Sequence, residues 1–301
     1  MCDLEPVDRR SFLVSVASVT AGIAVGCHGA RTDPEPSQDA SPRSEPPEAR
    51  ADDAGIQGEM VSFKSGEDVV RGYLARPKAA GRHRGIVLLH GEVGVPEGPR
   101  NVAEQLAQAG YVCLACERFS RWPEMTLADV AASDRTDRRF LSGSFSEQEV
   151  GDAQAAIEHL ESQPFVEPGG VGLVGFCGGG YEALLLATRS KDVRAVVVFY
   201  APPRMPDAFR NADDPRPSLM DMVDRFRVPI QGHYGADDPV VSLDVVHEFE
   251  QKLKENGTEV TFFTYPGATH TFFDSTRSHY NAEAAALAKA RMLEFFEQRL
   301  K

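Results

Sequence analysis

The chain has 301 residues, of which 42% are hydrophobic and 26% charged, enough for one large domain with a sizeable core plus a tail. A formal net charge of −13 excludes a broad electrostatic attraction to nucleic acid and provides no general field that draws anionic substrates. Five scattered cysteines are too few for a disulfide scaffold, and without a second CxxC they make no zinc site.

At the N-terminus, Arg9-Arg10-Ser11-Phe12-Leu13 precedes an uncharged stretch from Val14 to Gly26. A basic pair before a short apolar run is signal-peptide grammar, and the adjacent arginines resemble the twin-arginine export signal. The run is shorter than the roughly 20 apolar residues of a membrane-spanning helix. It ends in Ala24-Val25-Gly26-Cys27, similar to a bacterial lipobox, although Ala24 stands where leucine is usual. Residues 1–27 are therefore expected to be an export signal, with Cys27 the lipidation site; the alternative is an ordinary cleaved signal with an incidental cysteine. The expected location is the periplasm or cell surface, with any membrane tethering made by the lipid alone. From 28 to 55, Pro34, Pro36, Pro42, Pro46 and Pro47 alternate with polar and charged residues. Such a segment buries too little apolar surface to offset ordering, so a disordered linker is expected.

Residues 56–301 read as the folded domain. Met60–Phe63 and Val69–Ala75 are candidate strands with Gly66 near their turn. Ile86–Leu89 is a continuous apolar run, as in a strand covered on both faces. Pro99–Ala109 has helical spacing, Val112–Ala115 is a strand, and Glu147–Glu161 is amphipathic. Tyr111–Cys116 reads as a buried strand in which Cys113 and Cys116 face opposite sides, which makes them core residues. Val171–Val174 is a strand, followed by a glycine turn and a helix from Gly179 to Thr188. Strands at Ala195–Phe199, Val228–Tyr234 and Val260–Thr264 alternate with helices at Leu243–Leu253 and Glu283–Leu300. This alternation predicts an α/β fold, a mostly parallel sheet with helices on both faces and an antiparallel hairpin at one edge. Ligands of such sheets meet the carboxyl ends of the strands.

Gly175-Phe176-Cys177-Gly178-Gly179-Gly180 follows a strand and opens a helix. That is the context of a G-x-S-x-G nucleophile elbow with cysteine in place of serine. A helix N-terminus there favours a thiolate and offers the Gly178 N–H to an oxyanion. A dinucleotide turn is the rival, but the next strand ends Val198-Phe199-Tyr200 without the acidic residue such a turn needs. A buried structural cysteine is the bland alternative. Against it, Asp237-Asp238-Pro239 and Thr269-His270 each follow a later strand. Nucleophile, acid and histidine in that order is the order of α/β-hydrolases. Asp237 and Asp238 are equal by chemistry; His270 is the expected base, and His159 and His247 are expected at the surface.

The sequence resembles the dienelactone hydrolase family in Gly172–Gly180, in the Gly-x-x-Asp-Pro-x-Val block at 235–241, and from Tyr265 through Phe272-Phe273 to Tyr280–Ala284. The resemblance implies an α/β-hydrolase fold with Cys177 as nucleophile, Asp238 as the acid before proline, and His270 as base. It also implies hydrolysis of a small ester or enol-lactone with no metal or cofactor. The backbone N–H of Glu92 falls where the second oxyanion donor is expected, beside that of Gly178. Arg121 matches an arginine that holds a substrate carboxylate. Two positions depart from the pattern: Gly91 stands where the family has a glutamate that contacts the resting cysteine, and Asp274 stands where it has a second arginine. Two other readings remain at this point: a non-catalytic exported lipoprotein that uses the fold as a binding module, and a generic esterase or peptide-cleaving hydrolase.

Overall fold

One eight-stranded sheet organises the computed structural model, with strand order β1-β2-β4-β3-β5-β6-β7-β8. The structure describes residues 55–91, 97–118, 120–121, 143–204 and 216–301. The expected export signal with Cys27, the linker up to residue 54, and Glu92 lie outside these residues.

The strands are β1 (Ile56–Ser65), β2 (Asp68–Pro77), β3 (Gly85–Leu89), β4 (Val112–Cys116), β5 (Val171–Phe176), β6 (Val193–Phe199), β7 (Ile230–Gly235) and β8 (Val260–Tyr265). The helices are α1 (Glu97–Gln108), α2 (Gly143–Glu161), α3 (Gly178–Ala187), α4 (Leu243–Glu255) and α5 (Ala282–Arg299). β1 and β2 form the expected edge hairpin, and β2 joins the sheet antiparallel to β4. From β4 across to β8 every pairing is parallel.

Alternation along the strands divides the core in two. Ile86, Leu88, Cys113, Ala115, Val174 and Val197 point to one face, where they meet α1 and α5. Val87, Leu89, Leu114, Cys116, Leu173 and Val196 point to the other, under α2, α3 and α4. Cys113 and Cys116 thus lie on opposite faces of the sheet, both buried, as the period of a strand requires. Each fully buried Val, Leu or Ile side chain contributes about 1.5–3 kcal/mol relative to exposure, so the paired layers dominate the stability of the domain.

Several boundaries differ from the sequence reading. α1 begins at Glu97, so Pro99 lies in its first turn, where a missing N–H removes no intrahelical bond. β7 begins at Ile230 because Pro229 has no N–H for the ladder, although its carbonyl accepts from Val196 N–H at 3.0 Å. α2 starts at Gly143, earlier than its amphipathic pattern indicated. One histidine is a correction: His159 is half-buried with its ring stacked on Phe63 at 5.2 Å, whereas His247 is exposed as expected.

Candidate active site

Cys177 occupies the single residue between β5 and α3, with φ 50° and ψ −119°. A non-glycine residue at positive φ carries backbone strain that the surroundings must hold in place. Here the Cys177 N–H donates to the Phe199 carbonyl at 3.0 Å, and the Cys177 carbonyl accepts from Gly180 N–H at 3.0 Å. Gly179 is required by close approach, because a side chain there would run into the backbone carbonyls of Leu89 and His90. The glycine run therefore lets α3 start hard against the end of β3. Its first turn offers N–H groups without intrahelical acceptors, Gly178 foremost, together with the positive end of the helix dipole.

His270 Nε2 lies 3.3 Å from Cys177 Sγ. His270 Nδ1 lies 2.8 Å from Asp238 Oδ2. Asp238 is held on its other oxygen by the N–H groups of Val240 at 2.8 Å and Val241 at 3.1 Å. Its side chain is 1% exposed, while neighbouring Asp237 is exposed and engages only through its backbone N–H, which donates to the Ala268 carbonyl. The structure thus brings Asp238, and not Asp237, to the histidine. Tyr200, itself at φ 41°, packs its ring 4.9 Å from that of His270.

Burial alone would lower the His270 pKa, but the electrostatic influence of Cys177 and the hydrogen bonds the ring donates to Asp238 and Cys177 outweigh it and raise the value to about 10. The arrangement favours an imidazolium facing the sulfur.

Position 91 abuts Cys177: a side-chain carbon built on Gly91 would lie 3.1 Å from Cys177 Cβ and 4.0 Å from its Sγ. Glu92, the expected second oxyanion donor, lies outside the described residues.

Arg121 is a correction. Its guanidinium binds both oxygens of Asp152, at 3.0 and 2.5 Å, and also contacts Asp68 and Ser65. Asp68 opens β2, three strand spacings from β5, or about 14 Å across the sheet. The side chain reaches outward toward the edge hairpin, already matched by carboxylates, and is not disposed to hold a substrate anion beside Cys177. Asp274 pairs with Arg277 at 3.6 Å.

Sequence reading missed a buried polar cluster beside the elbow. Arg118, 4% exposed, binds Glu182 of α3 at 2.5 Å and the His90 carbonyl at 3.2 Å. The signal was present, since Glu182 is a carboxylate in an otherwise apolar helix, Gly-Gly-Gly-Tyr-Glu-Ala-Leu-Leu-Leu-Ala. Glu149 lies 3.7 Å from Arg118 Nε, and burial, with Glu182 and Asp152 adding to it against the arginines, pushes its carboxyl well above the usual range.

Known proteins resemble this chain over most of its length. A protein of Synechocystis sp. named "Putative carboxymethylenebutenolidase" is 29% identical over 247 residues, spanning 82% of this chain and 98% of its own. A Bradyrhizobium protein named "Probable 2-oxo-3-(5-oxofuran-2-ylidene)propanoate lactonase" is 31% identical over 221 residues, 72% of this chain and 84% of its own. Among solved structures, one titled as a putative dienelactone hydrolase from Klebsiella pneumoniae superposes with a TM-score of 0.66 at 24% identity, covering 81% of this chain and 99% of that one, which shows a shared fold. The profile of the dienelactone hydrolase family matches residues 70–300, from the second strand of the hairpin to the end of α5 and so across the elbow, the acid and the histidine alike. With its α/β-hydrolase fold and a match over most of its length, this chain belongs to the dienelactone hydrolase family.

Proposed function

We propose that the protein hydrolyses a small carboxylic ester or lactone through a Cys177–His270–Asp238 triad. The observation that carries this reading is the unbroken contact from Asp238 Oδ2 through the imidazole to Cys177 Sγ, with links of 2.8 and 3.3 Å. The relatives named as lactonase and carboxymethylenebutenolidase support the ester or lactone class.

In the proposed cycle the sulfur, ionised against His270, attacks the carbonyl carbon and forms a C–S bond. The carbonyl oxygen takes up the negative charge and is met by the Gly178 N–H and, as the sequence suggests, the Glu92 N–H. As the tetrahedral species collapses, the C–O bond to the leaving alcohol breaks and His270 delivers its proton to that oxygen. Water, its proton taken by the now neutral His270, then attacks the thioester; the acid leaves and the ion pair is restored. Asp238 keeps Nδ1 protonated, so that Nε2 always faces the sulfur, and stabilises the imidazolium. No cofactor or metal enters these steps.

The test is activity on a short-chain activated ester. Cys177→Ala and His270→Ala are each expected to lose at least about 1,000-fold in kcat, as members of a unit that acts together. Activity retained in either variant would remove the triad.

A further inference from the structure

The strand that leads to Asp238 carries a histidine with no part in the proposed cycle. His233 of β7 is fully buried, its ring stacked between Phe199 of β6 at 4.6 Å and Phe263 of β8 at 5.6 Å. A phenylalanine would fill that stack without burying two ring nitrogens, so packing alone does not account for the residue. Both nitrogens are engaged. Nε2 lies 2.9 Å from Gln231 Oε1, an acceptor, and so carries the proton; Nδ1 then accepts from the Tyr265 hydroxyl at 2.8 Å. The Tyr265 oxygen in turn accepts from Arg291 Nη1 at 3.2 Å. The His233 ring is neutral, since burial lowers its pKa to about 3 and the Arg291 charge adds to that effect.

Two residues that His233 holds bear on His270. Its backbone carbonyl accepts from Tyr200 N–H at 2.8 Å, and the Tyr200 ring packs on His270 and, at 5.8 Å, on Phe272. The Tyr265 ring packs on Phe272 at 5.2 Å, while the Tyr265 carbonyl accepts from Ala268 N–H at 3.3 Å, two residues before His270. Between His270 and Phe272, Thr271 takes φ 63°. A β-branched residue at positive φ is strained and keeps that conformation only where its neighbours impose it. We propose that His233 is a positioning residue: through the Tyr265 hydroxyl it holds the His270–Phe272 turn in the conformation that seats the imidazole against Cys177. The proposal rests on the triad reading above and names what keeps its base in place. Buried polar groups paired in this way rigidify their surroundings, which an apolar contact of the same shape does less well.

The test separates the hydrogen bond from the ring. His233→Phe keeps the stack and removes the acceptor; His233→Asn, whose side-chain oxygen stands near the place of Nδ1, keeps an acceptor for Tyr265 and gives up the stack. On a short-chain activated ester, His233→Phe is expected to lose about 10- to 100-fold in kcat with KM within about threefold of the parent, the effect of displacing a catalytic base by up to about 1 Å. Its kcat/KM profile should lose the alkaline limb near pH 10 and show one nearer 6.5, the value of a ring without partners. His233→Asn is expected to stay within about fivefold of the parent in kcat and to keep the limb, although it unfolds at a lower temperature for want of the stack. Tyr265→Phe, which deletes only the hydroxyl, should reproduce the His233→Phe signature, and the two changes together should cost no more than either alone. It carries the comparison should His233→Phe not fold. The proposal is overturned by His233→Phe or Tyr265→Phe with the kcat of the parent, by a loss of kcat that leaves the alkaline limb in place, or by His233→Asn more impaired in kcat than His233→Phe. Activity retained in Cys177→Ala would overturn the triad reading itself, and this proposal with it.

Discussion

Cys177 Sγ and His270 Nε2 stand 3.3 Å apart although 93 residues separate them along the chain. Their strands, β5 and β8, are three spacings apart, or about 14 Å across the sheet. The gap is closed by the loop after β8, which folds back over the end of β7. There the Ala236 N–H donates to the Tyr265 carbonyl and the Asp237 N–H to the Ala268 carbonyl, both at 2.9 Å. Asp238 and His270 are thus held by one set of loop contacts, and their geometry follows from the packing of two strand ends.

The raised pKa of His270 gives a pH dependence with a definite sign. The ring is protonated in the folded protein up to about pH 10, whereas a free histidine loses its proton near 6.5. The interaction therefore stabilises the fold fully below about 6.5 and is lost as pH rises through about 10. In the proposed cycle the imidazolium is also the acid for the leaving alcohol, so kcat/KM is expected to fall on an alkaline limb near pH 10. A profile measured with a substrate stable in base checks this; an alkaline limb near 7 would mean that the ion pair does not form.

Two glycine-to-alanine changes in helices should move stability in opposite directions. At Gly179 of α3 a methyl group meets the Leu89 and His90 carbonyls, backbone atoms that cannot turn aside. The expected loss is about 1–3 kcal/mol, against a helix-propensity gain of at most about 1 kcal/mol. At Gly151 of α2 nothing lies within 4 Å of the added carbon, so Gly151→Ala should gain about 0.5–1 kcal/mol. Thermal or denaturant unfolding measures both. A Gly179→Ala protein as stable as the parent would contradict the close packing of α3 on β3.

Much of the fold was legible because it is written locally. Ile86–Leu89 and Val196–Phe199 are unbroken apolar runs that only a doubly covered strand accommodates, and the elbow motif carries its own turn and helix start. Aspartate before proline and histidine after a strand could be placed by chain order. What stayed hidden depends on distant partners. Arg121 had the right position in the motif, but Asp152 and Asp68, 31 and 53 residues away, claim its guanidinium. The buried cluster of His90, Arg118 and Glu182 forms through contacts that span 28 and 64 residues of chain. Helical periodicity places His159 at the surface and does not reveal that Phe63 of the hairpin stacks on it.

With Arg121 bound to carboxylates and Arg277 paired with Asp274, the described rim offers substrates little positive charge. Tyr200, which packs on His270, lies within electrostatic reach of both Asp274 and Cys177. Esters with an uncharged acyl chain should be hydrolysed about tenfold better than equal-length esters ending in a carboxylate, since one like-charge contact at mid-range is worth about 1–2 kcal/mol. Asp274→Asn should narrow that gap. A parent that prefers the carboxylate-bearing ester would contradict this.

For the N-terminal segment we propose export by the twin-arginine route followed by lipidation at Cys27, from the motif residues alone. Arg9→Lys with Arg10→Lys should leave precursor in the cytoplasm, and Cys27→Ser should release the exported protein from the membrane fraction. Cell fractionation with immunodetection reads both; unchanged distributions would rule out the respective step.

The central claim is that a covalent bond forms at one sulfur. Rapid quenching of the parent with a slowly deacylating ester, followed by intact and peptide mass spectrometry, tests it most directly. A mass increase equal to the acyl group, located on the peptide containing Cys177 and missing from Cys177→Ala treated alike, is the predicted result. Turnover that proceeds while Cys177 never carries the acyl group would contradict it.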